Sequence, residues 1–281
     1  MSAGIFFLVL GAAALHATWN VLVKSGADKL AGIAAVVIGQ GLCGVVALLF
    51  APAPAPAALP FILSGVALHI GYQFFLMNSY KIGDLTQVYP IARGVAPMLV
   101  AGISVAALGA DLSRVEMLAV LVIGAGILSL SLTRQADGLR NGKAAAFAVG
   151  TGCFIAAYTL VDGYGARAAG SPLGFYGWES IGNALVFMAL IGGMRPASLK
   201  AALRARVALF IGGGASFAAY ALAIYAFTVA PIALVAALRE TSIVFALLIG
   251  VFFLKERLNL VKVASTAITL IGAALLRFSK M

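Results

Sequence analysis

Charge is what this sequence has least of. Its 281 residues include 19 Lys and Arg and 9 Asp and Glu, 10% in all, where an ordinary soluble domain carries about 25%. A soluble core of this length needs a polar coat, and so few charges cannot make one. Cysteine is also scarce: Cys43 and Cys153 both fall in apolar runs, which offers neither a disulfide framework nor a thiol pair for a metal. No HExxH, GxSxG or phosphate-binding P-loop occurs, so nothing supports an enzyme. The 2 histidines, His16 and His69, have no Cys or carboxylate at metal spacing, and no metal or cofactor is expected. A basic region ahead of the first apolar run is missing too. That run is long enough to span a membrane, so despite the cleavage-like "ALHA" the start reads as a span rather than a removed signal peptide.

What is present is apolar length. The chain is 63% hydrophobic, and crossing a bilayer takes roughly 20 predominantly apolar residues per helix. Runs of that kind lie at 3–23, 30–50, 59–80, 86–108, 115–133, 143–163, 172–191, 206–228, 231–254 and 260–277. They are too long and too little alternating for the strands of a barrel, and lipid-exposed backbone otherwise satisfies its hydrogen bonds only as helix. The expected fold class is all-α integral membrane, with ten transmembrane helices.

The ten spans read as two copies of five. "ATWNVLVKSGA" (17–27) matches "AAYTLVDGYGA" (156–166), placing Trp19 against Tyr158, and the same offset sets Gln40 against Glu179. "IARGVAPMLVAGISVAALGA" (91–110) matches "ALRETSIVFALLIGVFFLKE" (237–256), placing Arg93 against Arg239. The expected domains are therefore 1–138 and 139–281. Five spans per copy invert the second copy relative to the first. Lys and Arg accumulate in short cytoplasmic loops, and the loops after odd-numbered spans hold all the basic residues except Arg93 and Arg239 within spans and Arg114, Arg167, Arg277 and Lys280 elsewhere. "APAPAPAALP" after the second span is uncharged, whereas its counterpart "RPASLKAALRAR" has four basic residues. Both termini are expected outside. The net charge of +10, which in a soluble protein would suggest nucleic acid, reads here as topology, and no nucleic-acid partner is expected.

Ionisable residues at membrane depth cost a few kcal/mol each and usually face a cavity or a partner. His16, Trp19 and Asn20 share a helical face, as do His69, Tyr72 and Gln73. Tyr158 and Asp162, Glu179 and Asn183, and Ser216 and Tyr220 are each spaced i, i+4. Plainer readings stand beside these: packing for the histidines, a boundary belt for Trp19, Tyr158 and Tyr225, interhelical hydrogen bonds for Gln40 and Asn183, and simple solvation for Asp162, close to its span's end. Arg239 lies about eight residues, roughly 12 Å, into its span, within range of a snorkelling side chain. Arg93 lies between Pro90 and Pro97 beside Gly94, where each proline removes a backbone donor. An interrupted fourth span is expected there, without an equivalent in the ninth. The fifth and tenth spans lack deep charges, and Ser265, Thr269 and Ala273 suit helix packing.

"LKERL" (254–258), the whole of "LRETSIVFALLIGVFFLKERL", "HATWNVLVK" (16–24) and "VYPIARG" (88–94) resemble the EamA-type branch of the drug/metabolite transporter superfamily, the last two a subset linked to phosphonate-related neighbourhoods. The resemblance covers nearly the whole chain. It implies alternating access at a central cavity, peripheral fifth and tenth helices, a small organic substrate, membrane lipid contacts, and a proton or counter-substrate. The expected function is secondary transport, across a bacterial-type cytoplasmic membrane, of a metabolite bearing a carboxylate, phosphate or phosphonate, because Arg binds such groups bidentately. Arg93 and Arg239 would anchor it, with Trp19, Asn20, Tyr72, Gln73, Tyr89, Tyr158 and Tyr220 as further binding residues. Glu179, Glu240, His16 and His69 are the candidates for proton coupling or charge partnership. A flippase for a phosphate-bearing lipid or head group is the alternative.

Overall fold

Long apolar runs leave the backbone no outside partner, so it pairs with itself as helix. The computed structural model describes residues 1–25, 28–82, 85–132, 142–252 and 260–279, which form helices and connecting turns without a strand. Helix α1 spans Ala3–Ser25, α2 Lys29–Leu48, α3 Leu59–Ile82 and α4 Leu85–Ala106. Next come α5 (Arg114–Ser129), α6 (Gly142–Ala169), α7 (Pro172–Met194) and α8 (Pro196–Arg204). The last four are α9 (Gly213–Val229), α10 (Ile232–Arg239), α11 (Ser242–Phe252) and α12 (Leu260–Phe278). The all-α membrane expectation holds. Among the described residues 8 segments are long and apolar enough to cross a bilayer. They do not include α5 or α7, although both helices lie where the sequence places a span. Leu49, Phe50, Leu63, Phe210 and Leu260 are strongly exposed, an arrangement that suits lipid and would burden a protein in water.

Helix starts follow local chemistry. The Asp28 carboxylate accepts from the Ala31 N–H, and Ser113 and Glu116 form a reciprocal capping box. Ser171 accepts from the Gly174 N–H, with Pro172 in the first turn. Three elements depart from expectation. The basic stretch after α7 contains helix α8, and a π-helical turn, Val207–Gly212, precedes α9. The run expected as one ninth helix is two, divided at Glu240–Thr241. The fourth helix, expected to be interrupted, is continuous through both Pro90 and Pro97. The LKERL stretch lies outside the described residues, as do Arg134 and Arg140.

Contacts divide the chain into two compact units, Met1–Leu10 with Gly71–Leu160 and Ala230–Met281, and Gly11–Ile70 with Val161–Val229. Each draws on both halves of the chain. In the second unit α2 packs against α7 and α9. Gly41 and Gly44 let α2 approach Ala184, Ser180 and Gly177 of α7, and Gly39 meets Leu209 and Gly213. Small residues permit such close approach where lipid supplies no hydrophobic drive between helices. Ala35, Ile38, Ala184, Phe187 and Ile191 fill the seam. In the first unit α5 packs against α4 and α12. Gly126 fits against Thr269, and the Ser265 hydroxyl donates to the Gly126 carbonyl. Ser265, Thr269 and Ala273 are buried.

Candidate functional site

Polar side chains gather in two clusters, one within each unit. The first is built on α4. Gly94 seats α4 on α5, where an added Cβ would strike Leu128, and Gly152 of α6 passes close to the Ala92 carbonyl. Arg93, between these contacts, is thereby fixed and buried. Its partner is Glu240, at the break between α10 and α11. There the backbone tightens: Glu240 and Thr241 donate to the carbonyls of Ala237 and Leu238, and Ile243 and Val244 to those of Glu240 and Thr241, all i to i−3. The Thr241 hydroxyl also donates to the Leu238 carbonyl at 2.7 Å. No proline or glycine lies in this turn. Local side-chain bonding to backbone competes with the helix ladder, and short 3₁₀ stretches inside helices often mark functional hinges.

Arg93 Nε lies 2.8 Å from Glu240 Oε2. The contact is an ion pair by distance, but the Nε–H is not aimed well enough to make a hydrogen bond, and Nη2 is buried without a hydrogen-bond partner. Tyr72, Tyr89 and Tyr158 interact electrostatically with the guanidinium, and Arg239 with the Glu240 carboxylate. Tyr72 and Tyr158 meet edge to face, with centroids 5.7 Å apart. The Gln73 Oε1 of α3 is also buried and unpartnered. Arg239 itself is buried, so it does not snorkel. The Glu beside it serves the arginine of another helix.

The second cluster joins α3, α6, α7 and α9. His69 Nε2 is 3.0 Å from Asp162 Oδ2 and 3.7 Å from Glu179 Oε1. The Tyr220 hydroxyl donates to Asp162 Oδ2 at 2.5 Å. Tyr176 packs on Phe217 and Tyr220, and Gln40 Nε2 donates to the hydroxyls of Tyr176 and Ser216. The simple-solvation reading of Asp162 is corrected: it is 0% exposed. Helix α6 runs six residues past the expected end, to Ala169. Its Gly165 is not a stop but a close contact with Phe61 and Phe175. The i, i+4 pairing of Asp162 with Tyr158 was the available signal for this residue.

Within the trio on α1, Trp19 Nε1 donates to His16 Nδ1 at 3.3 Å, and Asn20 Nδ2 to the His16 carbonyl at 2.8 Å. All three are half-buried. Of the other sequence candidates, Tyr72, Tyr89, Tyr158, Arg239 and Glu240 gather around Arg93, and Tyr220, Glu179 and His69 meet at Asp162.

Comparison with known proteins separates fold from chemistry. A model of the EamA-like transporter family matches residues 142–278. Among solved structures 29 chains match. One crystal structure of a protein superposes with a TM-score of 0.78 at 17% identity, covering 99% of this chain and 100% of the other. At that identity it supports the fold alone. No curated protein matches. EamA family members are transporters and not enzymes. The family model matches just under half of the chain, so the segment 142–278 is similar to an EamA-like transporter domain, and 8 segments among the described residues are long and apolar enough to cross a membrane.

Proposed function

We propose that the protein is a secondary transporter of a small organic anion bearing a carboxylate, phosphate or phosphonate, working by alternating access. The observation that carries this reading is Arg93: a buried guanidinium with one carboxylate beside Nε and an unfilled donor at Nη2. A charge-assisted hydrogen bond to such a donor is roughly twice as strong as a neutral one, and a buried donor left unmade costs about 1–3 kcal/mol. An anion entering at Nη2 recovers that cost. Tyr72, Tyr89 and Tyr158 supply walls and hydroxyls, and Arg239 adds positive charge on the Glu240 side. Gln73, whose Oε1 is also buried and unpartnered, completes the proposed binding residues in this unit.

Glu240 supplies the coupling in this scheme. While ionised, it competes with the substrate for the guanidinium. Protonation removes the competitor, so a proton and the anion bind together. The protein lies in a bacterial-type cytoplasmic membrane with both termini outside, and its two five-helix repeats exchange roles during transport.

The test is uptake by reconstituted vesicles across a panel of small carboxylates, phosphates and phosphonates, with and without a pH gradient. At least one is expected to be carried. Arg93→Lys is expected to lower apparent affinity about 10- to 100-fold, since it keeps the charge but loses the fork, a difference of about 1.5–3 kcal/mol. Glu240→Gln is expected to transport without responding to the gradient. Absence of transport for every anion, or full activity in Arg93→Lys, rejects the reading. Movement only of lipids bearing a phosphate points instead to a flippase.

A further inference from the structure

Two carboxylates are buried in the second unit with little to neutralise them. Asp162 and Glu179 are 0% and 1% exposed. Asp162 Oδ1 and both Glu179 oxygens have no hydrogen-bond partner. The groups that do approach are His69, through Nε2, and Tyr220, whose hydroxyl donates to Asp162 Oδ2. Taking an ionised carboxylate out of water without a partner costs several kcal/mol even after relaxation, and two together cost more because they repel. Native structures tolerate buried charges when these are paired or coordinate a metal.

The geometry answers to the second case. One ligand atom each from His69, Asp162 and Glu179 lies within 4.8 Å of the others. The separation of His69 Nε2 from Glu179 Oε1, 3.7 Å, is close to the roughly 3.3–3.6 Å edge of a tetrahedron with bonds of about 2.0–2.2 Å. Asp162 Oδ1 and Glu179 Oε1 converge on Gly65 of α3, where a Cβ would collide with both. Glycine at this position lets the two unpartnered oxygens come together against α3. Tyr220 donates to the other oxygen, Asp162 Oδ2, which orients the carboxylate as outer hydrogen-bond donors do at metal sites.

We propose that His69, Asp162 and Glu179 bind a divalent cation of the zinc class, tying α3, α6 and α7 together. The charges balance, two carboxylates and a neutral imidazole against +2. One imidazole and two carboxylates suit Zn²⁺, Mn²⁺ or Co²⁺. They are too few for Ca²⁺, which takes 6–8 oxygens, and wrong for the near-ideal octahedron of Mg²⁺. Three protein ligands leave a fourth position for water. The proposal is independent of the anion reading at Arg93 and stands or falls by itself.

The test uses the full chain, purified without a histidine tag and stripped by chelator. Zn²⁺, Mn²⁺, Ca²⁺ and Mg²⁺ are offered singly as chloride salts in equilibrium dialysis, with elemental analysis and thermal unfolding as readouts. About one Zn²⁺ per chain is expected, with a raised midpoint because only the folded state holds the ion. Co²⁺ is expected to give the visible absorption of a four-coordinate site. Asp162→Asn/Glu179→Gln, which removes the buried charges and so is expected to fold without metal, should weaken Zn²⁺ binding at least about 100-fold. His69→Gln should also weaken it and abolish the Co²⁺ spectrum. The exposed substitution Asp111→Asn should change neither. Equal Zn²⁺ binding in the double variant overturns the proposal. So does failure of Zn²⁺, Mn²⁺ and Co²⁺ alike to bind the native chain, even if its stability varies with pH, which would assign the carboxylates a shared proton instead.

Discussion

At the scale of single residues, Arg93 is a buried guanidinium beside the Glu240 carboxylate. Arg93 and Arg239 stand out because a charge within an apolar span is costly, and that cost is readable from composition alone. The ion pair between Arg93 and Glu240 is not readable, because it joins helices some 147 positions apart by a rotation no single helix specifies. The pairing makes a stability prediction. Arg93→Gln takes away the guanidinium beside the buried Glu240 carboxylate and should destabilise the fold by about 3–5 kcal/mol, the usual cost of breaking a buried pair from one side. The double variant Arg93→Gln/Glu240→Gln should recover most of that loss, since no charge is left stranded. Thermal or denaturant unfolding of the two variants in the same detergent measures the difference. Equal loss in both would show that the pair is not what holds this region. Asp162 teaches the complementary lesson: it lies close to the end of the expected span, 143–163, whereas α6 continues to Ala169 and its Gly165 admits Phe61 and Phe175.

At the scale of elements, proline is a weaker guide than the backbone's other options. Pro90 and Pro97 suggest a broken fourth helix, yet α4 is continuous. A proline in a membrane helix is tolerated when neighbouring helices, hydroxyls and small local adjustments take up the freed groups. The break occurs where no proline stands, at Glu240–Thr241, through successive i to i−3 bonds and the Thr241 hydroxyl. Sequence reading misses it because Glu and Thr are ordinary helix residues whose effect depends on where their side chains bond. If this turn is the hinge of the transport cycle, its hydroxyl should matter more to turnover than to affinity. Thr241→Ala removes one hydrogen bond and favours a continuous helix. Maximal transport rate is expected to fall about fivefold, equivalent to about 1 kcal/mol, with half-saturation nearly unchanged. Thr241→Ser keeps the hydroxyl and should keep the rate. A fall in affinity with an unchanged rate would place Thr241 in the binding site instead.

At the scale of the whole molecule, charge distribution should decide how the chain sits in the bilayer. The described residues of the ten apolar runs are mostly helical, because length and hydropathy act on the backbone directly. Sidedness depends instead on where the few charges fall. The uncharged stretch 51–60 and the basic stretch 195–206, which contains α8 with Lys200 and Arg204, follow the second and seventh expected spans, which correspond if the chain is two five-helix repeats. If the repeats are inverted, these stretches face opposite sides, the basic one inward. Single cysteines report this in a background with Cys43 and Cys153 changed to serine. Ala53→Cys and Ala201→Cys both fall at exposed positions, so neither should disturb packing. In intact cells a membrane-impermeant maleimide is expected to label Ala53→Cys, and to label Ala201→Cys only after permeabilisation. Labelling of both from outside would break the inversion itself, because equivalent loops of oppositely oriented repeats cannot share a face. Reversed labelling would keep the inversion and overturn the orientation, which rests solely on the excess of Lys and Arg on one set of loops.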